Sequence, residues 1–453
     1  MKVEAEAIPG QDITISDRIV KSIYVSAEHI AGQVVQAEAP KFSWDQKIDD
    51  ILTSRWLGFP IMLLLLGVVF WITVAGANYP SQALASLLFW GQDRLSDLFL
   101  WAGAPAWLHG FLVLGVYHGL AWVVAVMLPP MAIFFPLFTL LEDAGYLPRV
   151  AFNLDNVFRR AGAHGKQALT MSMGFGCNAA GVIACRIIES PRERLIAILT
   201  NNFVPCNGRF PTLIALAGLF LGSAVVAYST IVASAAVVGI VLIGIATTLL
   251  VSYLLSKTLL RGVPSNFTLE LPPYRKPLVG QVIVRSILDR TLFVLARAVV
   301  VAAPAGGIIW LLANIYVGEV SILTSLAGAL DPLARMIGLD GIILTAFILG
   351  LPANEIVLPI MIMGYLSSGT MMELNSLTAL KQLLVEGQGW TWLTALCVML
   401  FSLLHYPCAT TLITINRETK SKKWTILAAL IPLGIAFLVC FIVAQTVRFL
   451  GLV

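Results

Sequence analysis

Gly174-Phe175-Gly176-Cys177-Asn178 has a counterpart 176 residues further on, Gly350-Leu351-Pro352-Ala353-Asn354. The match runs backwards without a gap. Residues 154–178 align with 330–354 at seven identical positions: Leu154/Leu330, Asp155/Asp331, Arg159/Arg335, Gly162/Gly338, Gly165/Gly341, Gly174/Gly350 and Asn178/Asn354. Most are Gly, Asp, Arg or Asn, so a shared oily composition does not account for them. A second echo follows, Val204-Pro205-Cys206 against Tyr406-Pro407-Cys408. In a membrane protein, apolar segments interrupted at corresponding places by Gly, Pro and polar residues mark the binding site of an internally repeated transporter.

The composition sets the class. Of the 453 residues, 58% are hydrophobic and 12% charged, against about 25% charged in soluble domains. The mean hydropathy is +0.87. An all-α polytopic membrane protein is expected. Residues 1–50 are polar, mixed in charge and without an apolar stretch, unlike a signal peptide. The first apolar run, 56–75, is long enough to span a hydrocarbon core of about 30 Å. A net charge of +4 is too small to imply nucleic acid, so the lipid bilayer is the first partner. The six cysteines, Cys177, Cys185, Cys206, Cys397, Cys408 and Cys440, fall in or beside apolar segments. That argues against a disulfide framework and leaves packing or soft-ligand roles.

Apolar runs lie at 56–76, 108–141, 168–186, 195–221, 225–256, 292–317, 342–366, 391–415 and 424–447. Charge decides whether 168–186 and 342–366 cross the bilayer or dip in and return. With both re-entrant and the N-terminus cytoplasmic, 23 basic residues fall inside and only Arg94, Arg335, Lys381 and Arg448 outside. Full spans would move residues 186–194 and 257–290 outside and destroy that bias. Re-entrant hairpins also put three crossings between the repeats, an odd number, so the repeats face opposite ways. The expected fold is two inverted-topology gate repeats with re-entrant hairpins and broken helices.

The domain reading is a cytoplasmic N-terminal region, 1–55, with a short helix at 13–35, and leading membrane helices at 56–141. Gate repeat one covers 142–256, a proline-rich cytoplasmic linker 257–290, and gate repeat two with the C-terminal helices 291–453. Residues 146–165 and 322–341 are expected as interfacial amphipathic helices, and 81–101 as an external surface segment.

The residues that carry chemistry gather at the interruptions. Cys177 stands at the first break, where exposed carbonyls meet a soft thiol suited to a transition metal; Ala353 holds the matching place. Cys206 and Cys408 each follow a proline, which frees a backbone carbonyl one turn back. Glu355 lies at membrane depth, where a carboxylate costs roughly 2.5–3.5 kcal/mol and marks a functional position. Asn178 and Asn354 offer amide oxygens, besides capping the broken helices. Arg209 needs a partner if it is not to repel a cation, and Glu355 is the expected one. Glu142, Met173 and Met361 are candidates along an ion path. Cys185, Cys397, Cys440, His118 and His405 read as packing or satisfied helix residues.

Leu141-Glu142-Asp143-Ala144-Gly145-Tyr146, the Gly174–Asn178 pentapeptide, Glu189-Ser190-Pro191-Arg192-Glu193-Arg194 and Pro407-Cys408-Ala409-Thr410-Thr411 resemble the membrane domain of the ferrous iron transport protein B family, FeoB. Lys47-Ile48-Asp49-Asp50 and Arg55-Trp56-Leu57-Gly58 resemble its approach to the first span. The likeness runs from about residue 44 to the C-terminus. It implies two inverted gate modules moving Fe(II) into the cytoplasm across a bacterial inner membrane, with Cys177, Cys206 and Cys408 on the path. Fe(II) is then the transported ion, and no permanently bound cofactor is expected. Family members usually begin with a small GTPase domain, yet no G-x-x-x-x-G-K-[ST] loop occurs in these residues. Either a small GTPase on a separate chain is the partner or the protein works without one, and a homo-oligomer is a further possible assembly.

Two other readings compete. A gate-fold transporter for a nucleoside or another divalent metal would share the repeats. A membrane scaffold or intramembrane enzyme would not need them, and no Ser/Lys, Asp/Asp or His-Glu-x-x-His arrangement supports proteolysis. No enzymatic activity is expected.

Overall fold

A computed structural model of the chain describes residues 15–34, 44–54, 56–221, 229–262, 274, 277–372 and 377–452. Helices α1 (Ile15–Val34) and α2 (Trp44–Leu52) precede the membrane part. Helix α3 (Gly58–Trp101) follows, and its 44 residues extend roughly 66 Å, about twice the hydrocarbon core. Residues 81–101 are thus a continuation of α3 and not a separate surface piece. Gln82, Ala83, Leu84 and Ala85 sustain the helix past Pro80. Its far half is tied to the next helix, where the Tyr117 hydroxyl donates to the Leu88 carbonyl (2.9 Å) and His118 Nδ1 meets Gln92 Oε1 (2.8 Å).

Helix α4 (Ala106–His109) passes through a π-helical stretch, Gly110–Tyr117, into α5 (His118–Asp143). Repeat one then lays down α6 (Tyr146–Arg160), a hairpin of α7 (Gln167–Gly176) and α8 (Asn178–Ala184), a broken helix of α9 (Pro191–Thr200) and α10 (Phe210–Leu216), and α11 (Ser229–Lys257). After α12 (Val279–Arg285) and α13 (Leu292–Asn314) the order recurs. It comprises α14 (Ile322–Met336), a hairpin of α15 (Gly341–Leu349) and α16 (Val357–Leu366), then α17 (Leu377–Lys381), the broken α18 (Trp392–Leu404) and α19 (Ala409–Thr419), and α20 (Lys422–Phe449). The strands among the described residues are one two-residue pair, Tyr316–Val317 and Val320–Ser321.

The identities that relate the repeats have physical causes. Helices α6 and α14 begin and end 176 residues apart. Each closes on a glycine with positive φ, Gly162 at 70° and Gly338 at 77°. In each, two backbone bonds close the last turn: Gly162 to Arg159 and Ala163 to Phe158, Gly338 to Arg335 and Leu339 to Ala334. This is a Schellman C-terminus, where a side chain on the glycine would be strained. Asp155 and Asp331 each accept from a backbone N–H at the start of the hairpin, Gly165 and Gly341. Each also pairs one turn on, with Arg159 and Arg335. A Cβ on Gly165 or Gly341 would strike Asp155 or the Ala327 carbonyl. Finally, Cys177 and Ala353 share one extended backbone conformation, φ −156°, ψ 125° and φ −153°, ψ 122°. The break is a property of the repeat and not of the thiol.

Both hairpins return to the face they start from. Lys166, just before α7, donates to the Ile187 carbonyl and pairs with Glu189 (3.3 Å each) just after α8. The Tyr365 hydroxyl, in the last turn of α16, donates to the Asp340 carboxylate that caps α15. The first mouth lies on a basic face, where Arg186 binds Glu418 at the end of α19 and Arg192 donates to the Leu260 carbonyl beyond α11. The linker helix α12 lies beside the end of α5 on that face, as Thr139, Asp143, Gln281 and Arg285 line one cavity. From there α13 crosses, and its last residue, Asn314, donates to the Gly369 carbonyl just past α16 (2.6 Å). The second mouth therefore opens on the opposite face, and the repeats are inverted. Among the described residues, six helical stretches are long and apolar enough to cross a membrane, counting the broken α18–α19 as one.

Candidate functional site

Proline sets where α9–α10 and α18–α19 come apart. Pro205 and Pro407 cannot donate to the helix ladder, so the chain runs extended at Val204 and His405 before helix resumes. The breaks then lean on the hairpins in the same way twice. Asn207 N–H reaches the Gly176 carbonyl (3.4 Å), and Ala409 N–H the Leu351 carbonyl (2.7 Å). Four interruptions thus meet at mid-depth. Irregular backbone at such depth is tolerated only when buried in protein or lining a cavity.

Arg209 joins the halves. Its guanidinium donates to the carbonyls of Asn202 and Leu403 (2.8 Å each), Tyr406 (3.2 Å) and His405 (3.3 Å), and to Asn202 Oδ1 (3.0 Å). The expected pairing with Glu355 is corrected by this geometry. The last turn of α18 leaves carbonyls without intrahelical partners, and a fork of donors at a helix C-terminus satisfies several at once. Asn202 Nδ2 adds a bond to the His405 carbonyl (2.5 Å).

Between the breaks lies a cavity of about 30 Å³, lined by Cys177, Asn178, Cys206, Asn354, Glu355 and Cys408, with Met127 and Met131 of α5, Ala298 of α13 and Thr410. All six residues expected at the site border this one space. Their donors do not form a closed cage, since among the described residues no three His, Cys, Asp or Glu side chains converge closely enough to hold a metal. Cys408 Sγ is engaged by Thr411 Oγ1 (3.2 Å), and Asn354 Nδ2 points at Cys206 Sγ (4.0 Å). The Glu355 side chain lies against Gly208, where any Cβ would collide with Oε1.

Two features make the space suited to a cation. Asn178 Oδ1 and Asn354 Oδ1, at matched positions of the two repeats, are buried without a hydrogen-bond partner. An orphaned acceptor of this kind costs about 1–3 kcal/mol, which a ligand offering positive charge removes. Glu355 is only 9% exposed and takes part in no ion pair among the described residues.

The remaining path candidates lie elsewhere. Glu142 is exposed at the end of α5, while Met173 and Met361 are buried in the core and do not border the cavity. Met127 and Met131 take the thioether positions instead. They escaped the sequence reading because they lie on α5, outside the repeated stretch. The buried Asn201-Asn202 pair was missed too, although two amides before Val204-Pro205-Cys206 in an apolar run were a visible signal.

Residues 124–220 and 295–422 match the family model described as Gate, nucleoside recognition, and 237–289 match ferrous iron transport protein B C terminus. Proteins named Fe(2+) transporter FeoB are similar over most of the chain. The one from Staphylococcus aureus (strain MSSA476) is 30% identical over 422 residues, 91% of this chain and 60% of its own length. The one from Synechocystis sp. is 28% identical, covering 99% and 70%. A protein of Porphyromonas gingivalis named as a fusion of Fe(2+) transport protein A and FeoB is 27% identical, covering 88% and 51%. The chain thus spans about 60% of the staphylococcal relatives' length. No solved structure matches it.

Proposed function

The chain belongs, through its membrane domain, to the ferrous iron transport protein B family, and from that premise we propose that it carries Fe(II) across the bilayer through the cavity between the two breaks. The paired orphan oxygens of Asn178 and Asn354 carry this reading. Fe(II) would exchange part of its water shell for these amides and the Glu355 carboxylate, with Cys177, Cys206 and Cys408 as softer donors around them. The cavity volume, about 30 Å³, favours a water molecule or a small ion over a nucleoside, since organic ligands take pockets of roughly 300 Å³ or more. Cells carrying Glu355→Gln or Cys177→Ser, at normal expression, should take up Fe(II) at least about tenfold more slowly. Wild-type uptake by both would exclude the site.

The excess of basic residues on one face supports a cytoplasmic side for that face and for the N-terminal region, and a bacterial inner membrane is the location that goes with this reading. Control by a GTPase belongs to the same proposal. A phosphate loop would come from sequence outside these residues, and the stretch 13–50, which includes α1 and α2, is its docking place. A nucleotide state can drive the gate only by binding one conformation better than another. Co-purification of a small GTPase with the intact chain, and its loss without residues 1–40, would support this. Equal recovery from both would refute it.

A further inference from the structure

The two repeats differ where they should be most alike. On α7, Gln167, Thr170 and Gly174 share one face at spacings of three and four residues. The matching positions on α15 are Ile343, Ala346 and Gly350. Asn201 and its counterpart Leu403 extend the contrast, as do Gly181 and Val357. In repeat two, a Cβ on Gly350 would meet the Val357 side chain, so the space beside the glycine is filled with hydrocarbon. In repeat one, a Cβ on Gly174 would meet Asn201 Oδ1 at 3.0 Å and Asn178 Oδ1 at 3.4 Å. Both oxygens are buried and neither has a hydrogen-bond partner.

The polar side chains continue outward. Asn201 Nδ2 donates to the Asn178 carbonyl (3.2 Å), next to the central cavity. Its neighbour Thr200 accepts from Gln167 Nε2 (2.8 Å) and lies 3.5 Å from Ser252 Oγ. Gln167 Oε1 is a third buried, partnerless amide oxygen. Gln167 opens α7 beside Lys166, at the mouth of the hairpin on the basic face. Three orphaned acceptors thus step from the cavity to that face through repeat one, each 3% exposed or less.

We propose that this string is a second cation site and the exit from the central cavity, with Asn178 and Asn201 holding a partly hydrated divalent cation at Gly174 and Gln167 receiving it at the basic face. Amide oxygens and hydroxyls bind such an ion without trapping it, as a path requires. Repeat two, with Ile343, Val357 and Leu403 in the same places, is closed to the ion there. This inference rests on the Fe(II) reading and gives the cargo its way out.

The test is Fe(II) flux under anaerobic conditions into proteoliposomes holding the full chain. Asn201→Leu and Gln167→Ile install the residues of repeat two. Each should slow flux at least about tenfold, and Asn201→Leu should also lose the second bound ion, while the affinity of the central cavity for Fe(II) in the detergent-solubilised protein stays within about twofold because Asn354, Glu355 and the three cysteines that line it are intact. Asn201→Asp keeps the oxygens and should preserve flux, which separates a cation path from a packing role. Wild-type flux in Asn201→Leu and Gln167→Ile overturns the path, as does a loss in Asn201→Asp equal to that in Asn201→Leu. If the wild-type chain neither binds nor passes Fe(II), the Fe(II) reading falls and this inference with it. If only the wild-type-like flux of the plugged variants is seen, the reading stands and the path alone fails.

Discussion

Arg209 shows how a buried cation can sit beside the proposed cation site. It is 1% exposed, and its charge is spread over carbonyls of both repeats instead of being matched by a carboxylate. That leaves Glu355 available to the cargo. Arg209→Met should strand the carbonyls of Asn202, Leu403 and Tyr406, each worth roughly 1–3 kcal/mol when buried unpaired, while the His405 carbonyl keeps its bond from Asn202 Nδ2. A total loss of at least about 3 kcal/mol is expected, read as a lower melting temperature in detergent. Arg209→Lys, a single point of charge, should recover only part of it. A methionine variant melting within about one degree of the wild type would contradict the role. The arginine was visible in the sequence as a buried charge, but its partners were not. They are backbone carbonyls freed by Pro407, and a sequence names side chains.

At the scale of elements, α2 is held to α6 by a bond from Asn153 Nδ2 to the Leu52 carbonyl (2.7 Å) and by a cluster around Asp49. Arg149 Nε binds Asp49 Oδ1 (2.9 Å), the Tyr274 hydroxyl donates to the same oxygen (2.7 Å), and the guanidinium stacks 4.1 Å from the Tyr274 ring. The hydrogen bond from Arg149 holds the Asp49 carboxyl below its ordinary range, outweighing partial desolvation. A depressed carboxyl contributes stability above its unfolded value and loses it as pH falls through the folded one. Amide-exchange protection of α2 should therefore be flat from neutral pH down to about 5 and fall only at pH below the ordinary carboxyl value of about 4. Asp49→Asn should lower protection even at neutral pH, to what the Asn153 bond alone sustains. Protection that ignores both pH and the substitution would show that α2 is held otherwise. The elements themselves were largely legible. Gly162, Gly165, Gly338 and Gly341 repeat because a left-handed C-terminus and a close approach to α6 or α14 demand them. The string of Gln167, Thr200 and Asn201 was not legible. Residues around α17 lengthen the second repeat, so the offset grows from 176 to 202 before the second break. That offset, read from Pro205 and Pro407, sets Asn201 opposite Leu403, but only the fold brings Asn201 beside Gly174.

For the whole molecule, two hairpins open to opposite faces and four backbone interruptions meet between them. The inverted arrangement followed from the sequence because basic residues crowd one face. The site followed only in outline. Its six residues do surround one cavity, yet the space is smaller and less cage-like than a cluster of soft ligands suggested. The orphaned oxygens of Asn178 and Asn354 are what the account depends on. The most direct test is Fe(II) flux into proteoliposomes by Asn178→Leu and Asn354→Leu, each compared with wild type at equal folded protein. The account predicts that both variants, one in each repeat, lose flux by about tenfold or more. Fe(II) flux at the wild-type rate in either one would contradict it.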